Sequence, residues 1–388
     1  MKKKIAILGS TGSIGKSLFN ILKKDRINFE ISLLTANTNY KELLKQIKIF
    51  NVKNIIITDK IAFTSISRIL KNKKIHIHNN FDSINKIFKK NEIDYVMNSV
   101  SGFSGLKPTL DIIKFCKKIA IANKESIICG WSLIEKSLKK YKTYFVPVDS
   151  EHFSIWSLIN SSKNENIEKI FITASGGPFR DFPLNKFKFI TKKMALKHPN
   201  WVMGKKISID SATMMNKVFE IIEAKKIFNL SYKQLEIIVH PQSYLHAIIK
   251  FSNGLTKLLI HDTSMIIPIF NSLHSGTKHN IKSKKLDFNK LNNLDIKFID
   301  KDKFPVVRIL DKLRSKDSLF ETVIVSANDS LVHLFLENKI KFTDISSVLL
   351  KILNMGEFAK YKGITPKNIE EITKLSNYVS LKINSMSV

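Results

Sequence analysis

Ile5-Ala6-Ile7-Leu8-Gly9-Ser10-Thr11-Gly12-Ser13-Ile14-Gly15 is a short apolar run that breaks at a glycine-rich turn and continues into a helix-like segment, Ile14 to Lys24. The apolar run is too short for a signal peptide or a membrane span and reads as a buried strand. The spacing is Gly-x-x-Gly-x-x-Gly, a variant of the dinucleotide fingerprint. Its glycines let the backbone turn tightly and approach a pyrophosphate, which sits on the free N–H groups at the positive end of the helix. Ser10, Thr11 and Ser13 add hydroxyl donors. A tight turn with no ligand has the same composition. The place of the motif, between strand and helix in a repeating pattern, favours the nucleotide.

That pattern runs outward from the turn. Strands are expected at Phe29–Leu34, Asn54–Thr58, Ile75–His78, Ile93–Met97, Ile119–Ala122 and Thr143–Val148, each separated by a helix-length stretch. Continuous apolar runs alternating with helices predict a mostly parallel sheet covered on both faces. The regularity ends at Pro147-Val148-Asp149. From there to residue 274 the pattern is mixed, with strands at Lys169–Ala174, Leu235–Val239 and His246–Phe251. Residues 175–204 carry many Lys and Phe, few periodic features and glycines at both ends, and read as a mobile lid. Residues 275–300 are polar and fit a linker, and after Phe304-Pro305 the period is helical. The fold class read from this is α/β: a Rossmann-like nucleotide-binding domain over 1–149, an α+β catalytic domain over 150–274, a linker over 275–300 and an all-helical domain over 301–388.

The 388 residues carry 64 basic and 33 acidic side chains, a formal charge of +31. Such a balance invites a nucleic-acid reading, since Lys and Arg displace counterions from phosphates. The lysines are spread along the whole chain and no nucleic-acid-reading motif is present, so a solvated surface is expected. Two cysteines, Cys116 and Cys129, make no disulfide framework and point to a reducing, cytoplasmic setting. Both are expected in helices, packed rather than reactive. Neither a nucleic-acid partner nor a membrane is expected.

Two clusters carry chemistry. Asp149-Ser150-Glu151-His152 follows the last strand of the regular pattern, at the sheet end where ligands gather. Two carboxylates placed there suit a hard divalent cation, Mg²⁺ or Mn²⁺; a capped, solvated turn fits the same four residues. In the second cluster, a helix starting near Ser211 puts Asn216, Lys217 and Glu220 on one site. Those groups suit a phosphate, with Glu220 as a third carboxylate; an amphipathic helix with a surface Lys–Glu pair is the plain alternative. The stretch after the second strand, Asn37-Thr38-Asn39, has no carboxylate to repel a 2′-phosphate, which favours NADP over NAD.

Taken in order, Gly9–Gly15, Ala122-Asn123-Lys124-Glu125-Ser126, Val148–His152, Ala174-Ser175-Gly176-Gly177-Pro178-Phe179-Arg180, His198-Pro199-Asn200-Trp201-Val202-Met203-Gly204, Asp210–Lys217 and His240-Pro241-Gln242-Ser243 form a series of blocks. With them the chain resembles the 1-deoxy-D-xylulose 5-phosphate reductoisomerase family over nearly its whole length. The resemblance implies NADPH, Mg²⁺ or Mn²⁺, a homodimer, and rearrangement with reduction of a phosphorylated hydroxyketone. It implies that Asp149, Glu151 and Glu220 hold the metal. Lys124, Ser150, Glu151, Ser175, His198, Ser211, Asn216, Lys217 and Glu220 are implied to meet substrate, with Lys124 and His198 among the catalytic groups. Thr11, Gly12, Ser13, Ile14, Asn123, Glu125 and Gly204, together with Asn37, Thr38 and Asn39, are implied to meet the cofactor. Trp201 looks like an aromatic lid, and Met203 lies where the family places a residue near the nicotinamide. The family often has a basic residue where this chain has Asn37-Thr38-Asn39, an Arg before Pro268, and Gly at Val218. A semialdehyde or hydroxy-acid dehydrogenase shares the cofactor domain but needs no metal.

Overall fold

A computed structural model describes residues 2–89, 92–162, 165–276, 278–314 and 316–386. The chain forms two compact units. One comprises 1–126, 133–153 and 264–282; the other comprises 127–132, 154–263 and 283–388.

The first unit holds a seven-stranded sheet. Its strands are β1 (Lys3–Leu8), β2 (Phe29–Ala36), β3 (Asn54–Ile57), β4 (His76–His78), β5 (Ile93–Asn98), β6 (Cys116–Ile121) and β7 (Tyr144–Pro147). The order is β4-β3-β2-β1-β5-β6-β7 and every pairing is parallel. Ile5, Ala6, Ile7 and Leu8 of the central strand are fully buried. That explains an unbroken apolar run in place of alternation, because both faces of β1 are covered by helices. The chain builds outward from β1 to β4, then returns to lay β5 on the other side of β1. That reversal is the switch point, the place where sheets of this kind take ligands, beyond the carboxyl ends of the strands.

Two expectations are corrected in this unit. Cys116 opens β6 rather than lying in a helix; the lysines at 117 and 118 hide the strand start from an apolar-run reading. Residues 264–282 also belong here. Ile269 and Leu273, on the helix Ile266–His274, pack with Ile5, Leu18 and Phe29, and the Tyr95 hydroxyl lies 2.8 Å from Ser272 Oγ.

The second unit holds a mixed sheet of β8 (Ile167–Ala174), β9 (Leu235–Val239), β10 (Leu245–Phe251), β11 (Thr256–Ile260) and β12 (Lys297–Phe298), ordered β11-β10-β8-β9-β12. β12 and the short helix Phe288–Asn292 fall inside the stretch expected as a linker. The helix Met215–Ile227 packs on β8 and β9, and the helix Phe320–Leu336 packs on the helices Phe342–Leu353, Ile369–Met386 and Lys205–Thr213. No strand follows β12 among the described residues. Within 175–204, Phe179, Phe182 and Phe187 are packed in a cluster with Phe304 and Phe342. The stretch 197–204 has no regular structure and Val202 is fully exposed.

Candidate active site

The glycine turn closes over the carboxyl end of β1. Gly9 sits at φ +78° with no room for a side chain, since a Cβ there would lie 2.7 Å from the Ser99 carbonyl oxygen. Gly15 is equally confined, its Cβ position being 2.4 Å from the Gly9 oxygen. Gly12 is different. It precedes the helix Ser13–Lys24 in extended backbone, its nearest neighbour to a Cβ is 3.5 Å away, and no side chain caps that helix. Lysines occupy the last turn and no acid the first, so the helix leaves its positive end for an anion. The shape is a phosphate cradle: two glycines build it and the third keeps it open.

Groups that sequence reading did not single out hold this turn. Thr35, at the end of β2, accepts the Ser10 N–H on its carbonyl at 2.8 Å, and its Oγ1 accepts the Gly9 N–H at 2.9 Å. Gln46 Nε2 donates to the Ser10 oxygen at 2.9 Å, and Ser99 Oγ donates to Leu8 O at 2.7 Å. The expectation that Ser10 offers its hydroxyl to the cofactor is corrected, because that hydroxyl is buried and donates to Thr35 O at 3.2 Å. Thr11 and Ser13 remain accessible. Asn39 caps the helix Tyr40–Phe50 through Glu42 N, Asn37 Nδ2 donates to Thr58 Oγ1 at 2.8 Å, and the Thr38 carbonyl accepts from Tyr40 N. Asn123 is buried; it caps the helix Lys124–Tyr141 and donates to Val100 O and Gly102 O. Its side chain thus ties the loop after β5 to the start of this helix. Glu125, in the first turn of that helix, is buried.

The carboxylates after β7 lie where expected. A ligand oxygen of Asp149 and one of Glu151 come within 4.8 Å of one another. Lys124 Nζ lies 3.0 Å from Asp149 Oδ2, and the wholly buried His152 places Nδ1 3.2 Å from Asp149 Oδ1. Ser150 Oγ lies 2.5 Å from Glu151 Oε2. In the second unit the single helix expected from Ser211 onward is two helices. Lys205–Thr213 ends at Met214, which takes φ 67° and ψ 7°, and Met215–Ile227 begins afterwards. Ser211 is therefore in the last turn of one helix, and Asn216 and Lys217 are in the first turn of the next. Asn216 Nδ2 and Lys217 Nζ both donate to the buried Glu220 carboxylate. A left-handed methionine costs about 1 kcal/mol or more, and no turn residue announces it.

Ser175 and His198 meet, with Oγ 3.1 Å from Nε2. His198 Nδ1 accepts two backbone N–H groups, from Asn200 at 3.1 Å and Trp201 at 2.9 Å. An acceptor Nδ1 fixes the tautomer, so the proton is on Nε2 and points at Ser175 Oγ. Burial, then the Lys217 ammonium, push the imidazole down to about 4, so it is neutral at pH 7. Ser175 Oγ also accepts from Gly177 N at 3.2 Å. With its acceptor side filled twice, that hydroxyl has its own proton to give. The arrangement suits an anion such as a phosphate. Gly204 opens the helix Lys205–Thr213, its carbonyl accepting from Ser208 N and Oγ. The Cys116 thiol, buried and raised above its ordinary range, is no nucleophile.

Comparison with known proteins decides the family. Over 387 residues the chain is 68% identical to the 1-deoxy-D-xylulose 5-phosphate reductoisomerase of Pelagibacter ubique, covering 100% of both chains. The chain belongs to the 1-deoxy-D-xylulose 5-phosphate reductoisomerase family. Models of the reductoisomerase match residues 5–130, and models of its C-terminal domain match 145–228 and 261–380. The reductoisomerase of Clostridium kluyveri is 37% identical over 91% of this chain and 92% of its own. Among solved structures, the reductoisomerase of Zymomonas mobilis in complex with NADPH superposes with a TM-score of 0.87 at 30% identity, covering 100% of this chain and 99% of that one. A reductoisomerase in complex with NADPH, fosmidomycin and magnesium gives a TM-score of 0.90 at 29% identity, covering 99% and 98%.

The residues of this reductoisomerase-family chain suit both groups named in those complexes. The open Gly12 cradle at an uncapped helix end fits a pyrophosphate. Asp149, Glu151 and Glu220 offer only carboxylate oxygens, the donor set of a hard cation. Two of the three have lysine ammoniums against them, Lys124 at Asp149 and Lys217 at Glu220, which already supply part of the countercharge there.

Proposed function

We propose that the chain converts 1-deoxy-D-xylulose 5-phosphate to 2-C-methyl-D-erythritol 4-phosphate, using NADPH and a divalent cation, as a step in isoprenoid precursor synthesis. The observation that carries this is 68% identity over the full length of a 1-deoxy-D-xylulose 5-phosphate reductoisomerase, and it is supported by carboxylates suited to a cation and by Ser, Asn and Lys groups suited to a phosphate.

Asp149, Glu151 and Glu220 hold one Mg²⁺ or Mn²⁺ in this reading. A cation held there would supply Lewis-acid polarisation of a carbonyl and a lowered hydroxyl pKa, the chemistry that a skeletal rearrangement followed by reduction calls for. The protein's own groups do the rest. Lys124 and Lys217 balance the carboxylates and present ammonium protons to substrate oxygens, and Ser150 adds a hydroxyl donor. Ser175, Ser211, Asn216 and Lys217 bind the phosphate, with Ser175 donating because neutral His198 and Gly177 N fill its acceptor side. Thr11, Gly12, Ser13 and Ile14 seat the NADPH pyrophosphate, and Asn123, Glu125, Gly204 and Asn37–Asn39 line the rest of the cofactor path. The moving part of the lid is 197–204, with Trp201 over the substrate, because Phe179, Phe182 and Phe187 pin the earlier part. Closing it excludes water from the aldehyde intermediate.

No helix among the described residues is long and apolar enough to cross a membrane. We place the enzyme in the cytoplasm as a homodimer. β11 is an edge strand with Leu258, and Leu255 just before it, exposed, surface that self-association would cover. The test of the reaction is NADPH consumption that requires deoxyxylulose phosphate and stops when chelator removes the cation. Turnover that survives chelation favours an ordinary dehydrogenase and overturns the proposal.

A further inference from the structure

The groups assigned to the phosphate all take their positions from one helix, Lys205–Thr213. It carries Ser211. Its last turn is where Gly177 packs, for a Cβ on Gly177 would lie 2.6 Å from the Ser211 carbonyl, so the helix also sets the loop holding Ser175. The reversal at Met214 then launches Asn216 and Lys217. A small polar cluster ties this helix to its neighbours. Asp210, 1% exposed, accepts from Asn328 Nδ2 at 2.7 Å. Lys206 Nζ sits 2.8 Å from Asp210 Oδ2 and 3.0 Å from Asp329 Oδ1, and lies 4.9 Å from the centre of the Phe219 ring. One ammonium thus joins three helices: its own, Met215–Ile227 through Phe219, and Phe320–Leu336 through Asp329.

We propose that Asp210, Lys206 and Asn328 are positioning residues that set the register of the phosphate-binding helix for substrate binding. Asn328 is the telling member. It is fully buried on a helix whose Val325, Ala327 and Leu331 are buried too, and its Oδ1 has no hydrogen-bond partner. A buried amide with an unmet acceptor weakens packing relative to an apolar side chain of similar size. Its measurable return is the one bond that orients Asp210. The proposal rests on the phosphate assignment above.

The experiment compares wild type, Asn328→Leu, Lys206→Gln and the reciprocal pair Asp210→Asn with Asn328→Asp, in steady-state NADPH oxidation with deoxyxylulose phosphate. Asn328→Leu is expected to raise the substrate KM about tenfold or more while the NADPH KM stays within twofold. Lys206→Gln, at a partly exposed site, is expected to do the same in smaller measure. The reciprocal pair, which restores an amide–carboxylate bond across the same gap, is expected to recover most of the substrate KM. An unchanged substrate KM in both single variants, or equal loss for substrate and cofactor, overturns the positioning role. So does a reciprocal pair that melts like wild type but recovers nothing. Wild type serves as the control: if it fails to turn over the substrate, the functional assignment falls and not this one.

Discussion

At the scale of single residues, charge and hydrogen-bond direction decide the chemistry. Glu220 is buried and already receives Asn216 and Lys217. Glu220→Gln keeps the shape and removes the charge, so kcat is expected to fall at least about 100-fold, and the melting temperature to fall as well because the buried Lys217 ammonium loses this carboxylate, measured by turnover at saturating Mg²⁺ and by thermal unfolding. His198 gives a pH signature. Its folded pKa is lowered to about 4 from the ordinary 6.5, so between those values the unfolded chain takes up a proton that the folded chain refuses. Folding stability is therefore lost as pH falls from 6.5 toward 4, and the loss levels off below 4. His198→Asn removes this contribution to the slope. Urea midpoints at pH 7 and pH 4.5 are expected to drop less in the variant than in wild type, and equal drops contradict the assignment.

Elements explain what a sequence reading reaches and where it stops. The strands of the first sheet were legible because burial on both faces writes them as unbroken apolar runs, Ile5–Leu8 and Asn54–Ile57 being the plainest. The start of β6 was not, since Lys117 and Lys118 interrupt its run. The break at Met214 was illegible for a different reason. Nothing in Ala-Thr-Met-Met-Asn signals a left-handed residue, and tertiary packing of two helices imposes it. The return of 264–282 to the first unit depends on contacts at long sequence separation, which periodicity cannot report. The candidate site residues stand in motif blocks that a sequence reading can single out, whereas Thr35, Gln46, Ser99 and Asn328 look like ordinary polar residues until hydrogen bonds are traced. The three glycines of the turn separate structure from binding. Gly15→Ala is expected to destabilise the protein outright, because its Cβ meets backbone at 2.4 Å. Gly12→Ala has φ −76° and open space, so it is expected to leave the melting temperature within a few degrees and raise the NADPH KM about tenfold. Identical behaviour of the two variants contradicts the cradle.

For the whole molecule, the account joins a nucleotide crevice at the switch point of a parallel sheet to carboxylates and anion-binding groups on separate stretches of chain. The absence of a carboxylate at Asn37-Thr38-Asn39 predicts that NADPH is used in preference to NADH, with a ratio of kcat/KM of at least about 10. Competition assays with the two cofactors check this. The +31 charge is consistent with an anionic substrate and does not by itself call for a larger partner. The central claim is that Asp149, Glu151 and Glu220 share one cation. Crystals soaked in Mn²⁺, with data collected at its absorption edge, test it most directly. The account predicts a single anomalous peak about 2 Å from an oxygen of each of the three carboxylates; a peak that leaves out Glu220, or none at all at saturating Mn²⁺, contradicts it.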